Sequence, residues 1–135
     1  MNRKIIVGAV LVIGFFMTYL SRVPLAFERG ASWIWSYIPA GDPQAWFLFN
    51  LFHAGSLAPL VLFGFFYARG NIRWTFHLAA IAHFITTFFI YYKYESRHAE
   101  DVLNFVLFPM IIAFVSFVAG IIEYFLERVF AANRS

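Results

Sequence analysis

The feature that most constrains this chain is the length of its apolar runs. Four of them, at 5–20, 45–67, 73–92 and 102–126, approach the roughly 20 residues that carry an α-helix across about 30 Å of hydrocarbon. Lipid offers no hydrogen-bond partners, so a spanning backbone must be helical or a closed barrel, and long runs without strict alternation leave the helix. The expected fold is all-α: a polytopic membrane protein, one domain over 1–135, built as a four-transmembrane-helix bundle. Composition agrees, with 62% hydrophobic residues, 13% charged and a mean hydropathy of +0.74.

Several function classes drop out at this level. The chain has no Cys, which excludes disulfides, thiol catalysis and thiolate metal sites. Its ten Lys and Arg stand at the ends of apolar blocks instead of along one face, so the basic pI near 9.5 marks membrane flanks and no nucleic-acid partner is expected. No Gly-rich phosphate loop, G-x-S-x-G or H-E-x-x-H occurs, and no two carboxylates are placed for acid and base work. Ser56 lies three residues from His53, a helical coincidence more often than a nucleophile and its base. No run of residues carries a family-specific pattern.

Along the chain, 1–4 is a basic flank and 5–20 reads as an uncleaved helix, since Leu20-Ser21-Arg22-Val23-Pro24 does not resemble a small-x-small cleavage site. Pro24, Gly30, Pro39, Gly41 and Pro43 punctuate the next stretch, in which 31–38 (Trp33, Trp35 and Tyr37 among them) predicts a short interfacial aromatic helix between spans one and two. Pro59 predicts a kink in span two and Gly64 a close-packing point, while Pro109 is expected to interrupt span four. Ser116-x-x-x-Gly120 forms a small-residue strip suited to a partner helix. Aromatic residues gather into two belts: Tyr19, Trp33, Trp35, Tyr37, Trp46, Tyr91, Tyr92 and Tyr94 at one interface, Tyr67, Trp74 and Tyr124 at the other.

Orientation follows from the basic residues. Arg3, Lys4, Arg69, Arg73, Arg128 and Arg134 face Arg22, Arg29, Lys93 and Arg97 across the bilayer, which predicts both termini on the cytoplasmic side of a bacterial inner (plasma) membrane. Arg22 and Arg29 read as solvated loop residues, able at most to grip an anionic group. Glu123 and Glu127, one helical turn apart, are expected to join Arg69, Arg73 and Arg128 in an ion-pair cluster at the inner surface.

Histidines are the candidate chemistry. At 1.5 Å per residue, His53 and His83 each lie roughly 12 Å below the outer end of their spans, and antiparallel neighbours bring them to one level. Asn50 stands one turn above His53 and Thr87 one turn above His83, with Asn104 entering span four in the same half. His77 is turned away toward the inner surface, at a depth comparable to Glu123. An ionisable group in a span invites a functional reading. Interhelical hydrogen bonding that fixes packing competes with axial ligation of a b-type haem and with a proton or ion path from the outer pair to His77 and Glu123. Two His without a third ligand suit a divalent ion poorly.

The expected role is a non-enzymatic subunit or accessory component of a larger membrane complex, with the bilayer and other membrane subunits or a second copy as partners. A small chain with 19 Phe has little surface from which to build a water-filled path alone. A haem-binding redox protein or a small proton-coupled transporter using His53 and His83 is the alternative; no cofactor is required by the first reading.

Overall fold

The computed structural model describes residues 2–36, 42–94 and 102–133, and these are helical, with no strand among them. In order they form α1 (Arg3–Leu20), α2 (Val23–Arg29), a 3-10 helix (Ala31–Trp35), α3 (Pro43–Gly55), α4 (Ala58–Ala68), α5 (Thr75–Tyr91) and α6 (Val102–Ala132). Local chemistry sets the starts. The Asn2 side chain accepts the Lys4 N–H at 3.0 Å ahead of α1, and Asp42 accepts the Gln44 and Ala45 N–H groups at 2.9 and 3.1 Å ahead of α3, where Pro43 occupies the first turn.

Two stretches are long and apolar enough to cross a membrane: Arg3–Arg29, which takes in α1 and α2, and Leu103–Ala132. The expected span at 45–67 is instead two helices that meet at a 41° bend. Pro59, in the first turn of α4, lacks the N–H that would continue the ladder from α3. Counted as one span, the bent pair is a third. α5, expected over 73–92, has 17 residues, about 25 Å of helix. The helices by themselves therefore display two spans, or three with the bent pair, against the four expected. At Pro109 the expected interruption does not occur, and α6 runs unbroken for 31 residues; neighbouring helices and local adjustment let membrane helices tolerate an internal proline.

α5 is the hub, packed against α1, α4 and α6. Its buried face carries Thr75, Phe76, Ala79, Ala80, His83, Thr87 and Tyr91. Below, Leu57, Leu60, Phe63 and Tyr67 of the α4 region close on Phe76 and Ala79; above, Tyr19, Phe49, Phe105 and Ile112 close on Tyr91. The Ser116–Gly120 strip is used within the chain, because a Cβ on Gly120 would sit 2.5 Å from Phe63 Cζ. It receives a ring of α4 in place of a partner helix.

Both ends of α5 are closed by side chains from elsewhere. At its N-terminus no local side chain caps the helix, and Glu127 of α6 does so: Oε1 accepts the Arg73 and Trp74 N–H groups at 2.8 and 2.9 Å, and Oε2 accepts the Thr75 N–H at 3.3 Å and the Thr75 hydroxyl at 2.6 Å. An anion there also complements the helix dipole. The inner-surface ion pairing expected of Glu127 is thus replaced by a helix cap. At the other end Arg22 donates through Nη1 to the Tyr91 and Tyr94 carbonyls at 2.8 and 2.6 Å, through Nε to the Trp33 carbonyl at 2.9 Å, and through Nη2 to Ser36 Oγ at 2.6 Å. Expected in solvent, Arg22 is fully buried, lying 4.4 Å over the Trp33 ring.

That anchor corrects the aromatic map as well. Trp33, Tyr19, Tyr67 and Tyr91 are buried, while Trp35, Trp46 and Trp74 are at least half exposed. Of these seven, the first four serve the interior and the last three face outward as belt residues do, while Tyr92, Tyr94 and Tyr124 are half-buried. Within the stretch 31–38 the described element is the 3-10 turn, whose Trp33 packs inward under Arg22; Tyr37 and Ile38, like the polar stretch 95–101 with Arg97 and His98, and like Arg134, lie outside the described residues.

Two outcomes follow from the caps. Arg22→Met removes the charged hydrogen bonds to the Trp33, Tyr91 and Tyr94 carbonyls and to Ser36 and is expected to cost about 3 kcal/mol or more, read as a lowered unfolding temperature in detergent, with Arg22→Lys intermediate because one ammonium cannot span the same acceptors. Glu127→Gln loses the carboxylate that accepts the Arg73, Trp74 and Thr75 N–H groups and the Thr75 hydroxyl, and should unfold at a lower temperature than wild type in detergent.

Candidate functional site

The α3–α4 break positions the site. His53 sits in the last turn of α3, and its carbonyl accepts both the Ser56 N–H at 2.9 Å and the Ser56 hydroxyl at 2.6 Å, so the broken ladder is closed locally. The ring points across to α1, where Nε2 lies 3.1 Å from the Gly14 carbonyl. A carbonyl only accepts, which makes Nε2 the protonated nitrogen. Ser56 Oγ stands 3.4 Å from Nδ1, a secondary contact given the shorter bond it already makes. Phe49 stacks on the ring at 6.4 Å and 12°, with Phe15 and Tyr91 each 6.2 Å away.

His83 enters from α5, its ring 6.0 Å from that of His53 at an interplanar angle of 44°. Both are fully buried. Gly14 lets them meet: a Cβ there would stand 2.9 Å from Leu57 Cδ2 and 3.6 Å from His83 Nε2. Thr87 donates to the His83 carbonyl at 2.7 Å, which occupies the hydroxyl with backbone. Among the described residues no hydrogen-bond partner reaches either ring nitrogen of His83, or the Thr18 hydroxyl one turn along α1 from Gly14.

The other candidates disperse. Asn50 turns to α1, accepting the Tyr19 hydroxyl at 2.7 Å and donating to the Trp46 carbonyl at 2.9 Å. Asn104 donates to the Tyr94 hydroxyl at 3.2 Å. His77 rests edge-on against Tyr67 at 5.0 Å and beside Trp74 at 6.1 Å, at the opposite end of the bundle from Asn104. Glu123 lines a cleft at that same end. Only His53, His83 and Thr87 share one place, so the chain of groups from the outer pair to His77 and Glu123 is not assembled by contact.

A haem held by two axial imidazoles needs a lone pair from each aimed at one iron and a flat slot between the rings. His53 has Nε2 on the Gly14 carbonyl, and Phe49, Phe15 and Tyr91 close round it. The residues present do not fit that group. Among the described residues no three His, Cys, Asp or Glu converge as metal ligands do.

The residue that spacing missed is Arg22. A signal was present, since Arg22 is the lone charge in residues 5–27, and a charge enclosed by apolar sequence is held by partners more often than by water. No protein-family model, curated protein or solved structure matches the chain, so its role rests on the chemistry of these groups.

His83→Leu is expected to leave the unfolding temperature unchanged or raised, because it removes two buried nitrogens without protein partners. His53→Leu breaks the Gly14 bond and should cost about 1 kcal/mol. Thermal unfolding of the two variants side by side checks the order; a larger loss for His83 would contradict it.

Proposed function

We propose that the chain is a four-pass integral membrane protein with both termini cytoplasmic, acting without catalysis as a subunit or accessory component of a larger membrane assembly. The observation that carries this reading is how the interior polar groups are engaged: His53, Ser56, Thr87, Ser116 and Arg22 all bond backbone carbonyls of the bundle. His53 and Arg22 tie one helix to another, while the three hydroxyls bond carbonyls of their own helices and are spent there.

For α5 as a span, support comes from its outer face. Leu78, Ile81, Ile85 and Phe89 are exposed and recur at helical spacing opposite the buried face. A helix apolar all round suits hydrocarbon on one side and neighbouring helices on the other. Its 17 residues reach the lower end of spanning lengths, roughly 17–25, and the Arg22 and Glu127 caps let its termini sit near the interface without unpaired backbone. The bent α3–α4 pair supplies the remaining span.

A second reading, proton transfer through the outer pair, draws on the unpartnered nitrogens of His83. It requires that His83→Leu abolish function while sparing the fold.

Reporter fusions at 135 and within 69–73 should read cytoplasmic and one near 41 periplasmic; the reverse pattern would defeat the orientation. Purified in mild detergent together with its neighbours, the protein should run in a complex larger than its own 15.6 kDa plus micelle by light scattering. A lone monomer would contradict the assembly reading.

A further inference from the structure

The α4–α5 turn and the last turns of α6 enclose a cleft of about 450 Å³, a volume common among small-molecule sites. Glu123, Glu127 and Phe130 of α6 fall on one helical face, Arg128 lies beside them, and the turn contributes Arg73 and Trp74. Glu127 is already taken by the N–H groups of α5. The other three charges are not. Among the described residues the Arg73 and Arg128 guanidinium groups donate no hydrogen bond, Arg128 resting 5.2 Å over the Tyr124 ring, and the Glu123 carboxylate accepts none.

Two free cations and one free anion thus face a shared volume. At its rim stand the Trp74 indole and the Phe130 ring, 65% and 62% exposed, of the kind that settles at the boundary of lipid and water. A single ligand answers all three features: a phosphodiester for the arginines, a donor-bearing ammonium for the glutamate, and acyl chains for the rings. Basic pockets between membrane helices hold lipid head groups in this way, and the carboxylate here adds a demand that a purely basic pocket does not make.

We propose that this cleft binds a phospholipid of the phosphatidylethanolamine class, with the phosphodiester between Arg73 and Arg128 and the primary ammonium on Glu123. Phosphatidylcholine carries a quaternary nitrogen with no N–H for Glu123, and phosphatidylglycerol carries no cation at all. Glu123 is the selector. The assignment rests on the four-span reading, which brings this end of the bundle to the membrane surface.

Native mass spectrometry of the full chain, delipidated and titrated with the three lipids, tests it. Wild type is expected to retain phosphatidylethanolamine on the order of tenfold better than phosphatidylcholine. Glu123→Gln should erase that preference while still binding both, and the Arg73→Gln, Arg128→Gln pair should lose both. Should the double glutamine variant fail to fold, the Arg73→Lys, Arg128→Lys pair keeps the charges and should retain the preference at reduced affinity. Equal retention of the three lipids by wild type, a preference for phosphatidylglycerol, or a preference unaltered by Glu123→Gln would overturn the proposal. Thermal stabilisation by inorganic phosphate alone that matches the lipid's would assign the cleft to a soluble anion and overturn it equally. Reporter fusions with the wrong topology would defeat the four-span reading whatever the lipid result, whereas correct topology with unselective binding removes the head-group site alone.

Discussion

The free N–H groups at one end of a packed helix and the free C=O groups at the other need partners wherever they are shut away from water. α5 meets that constraint with borrowed side chains. Glu127 reaches from α6 to its first turn and Arg22 reaches from the α1–α2 corner to its last, so each pole of the helix dipole faces the opposite charge. The rest of the bundle follows from these two contacts. Arg22 also draws in the 3-10 turn through Trp33 and Ser36, and Glu127 fixes where the long α6 stands relative to the α4–α5 turn. One charged residue at each end sets the height of the central helix.

Between the caps, cohesion comes from close approach and from hydrogen bonds to backbone. Gly14 is the pivotal small residue: its carbonyl takes the His53 ring and its missing side chain leaves room for Leu57 and His83. The break at Ser56 belongs to the same scheme. It ends α3 where His53 can turn to α1, and Pro59 restarts the helix in a new direction. Of the imidazole pair, His53 bonds α3 to α1 and His83 of α5 packs beside it.

Much of this was legible from spacing. Helical rise places His53 and His83 at one depth, and the rings lie 6.0 Å apart; Pro59 announces the bend, and the apolar blocks announce an all-helical chain. What spacing could not reveal is the side to which an end-of-span residue turns. Tyr19, Tyr67 and Tyr91 stand at span ends as belt residues do, yet they face inward, because hydropathy carries no information on rotation about the helix axis. Arg22 and Glu127 look like ordinary flanking charges for a related reason: their partners are backbone groups 69 and about 53 residues away in the chain, and backbone has no sequence signature. Pro109 misleads in the opposite sense, since an internal proline breaks a helix in water far more readily than in a bundle that holds it on several sides.

Amide hydrogen exchange at the start of α5, followed residue by residue in lipid nanodiscs, tests the central claim most directly. The Arg73, Trp74 and Thr75 amides precede the first intrahelical bonds, and in a helix without a cap they exchange with solvent almost freely. Held by the Glu127 carboxylate, they are expected to exchange as slowly as the amides in the middle of α5. Exchange at the rate of an open helix end, with the middle of α5 still protected, would show that Glu127 does not close the helix and would contradict the account.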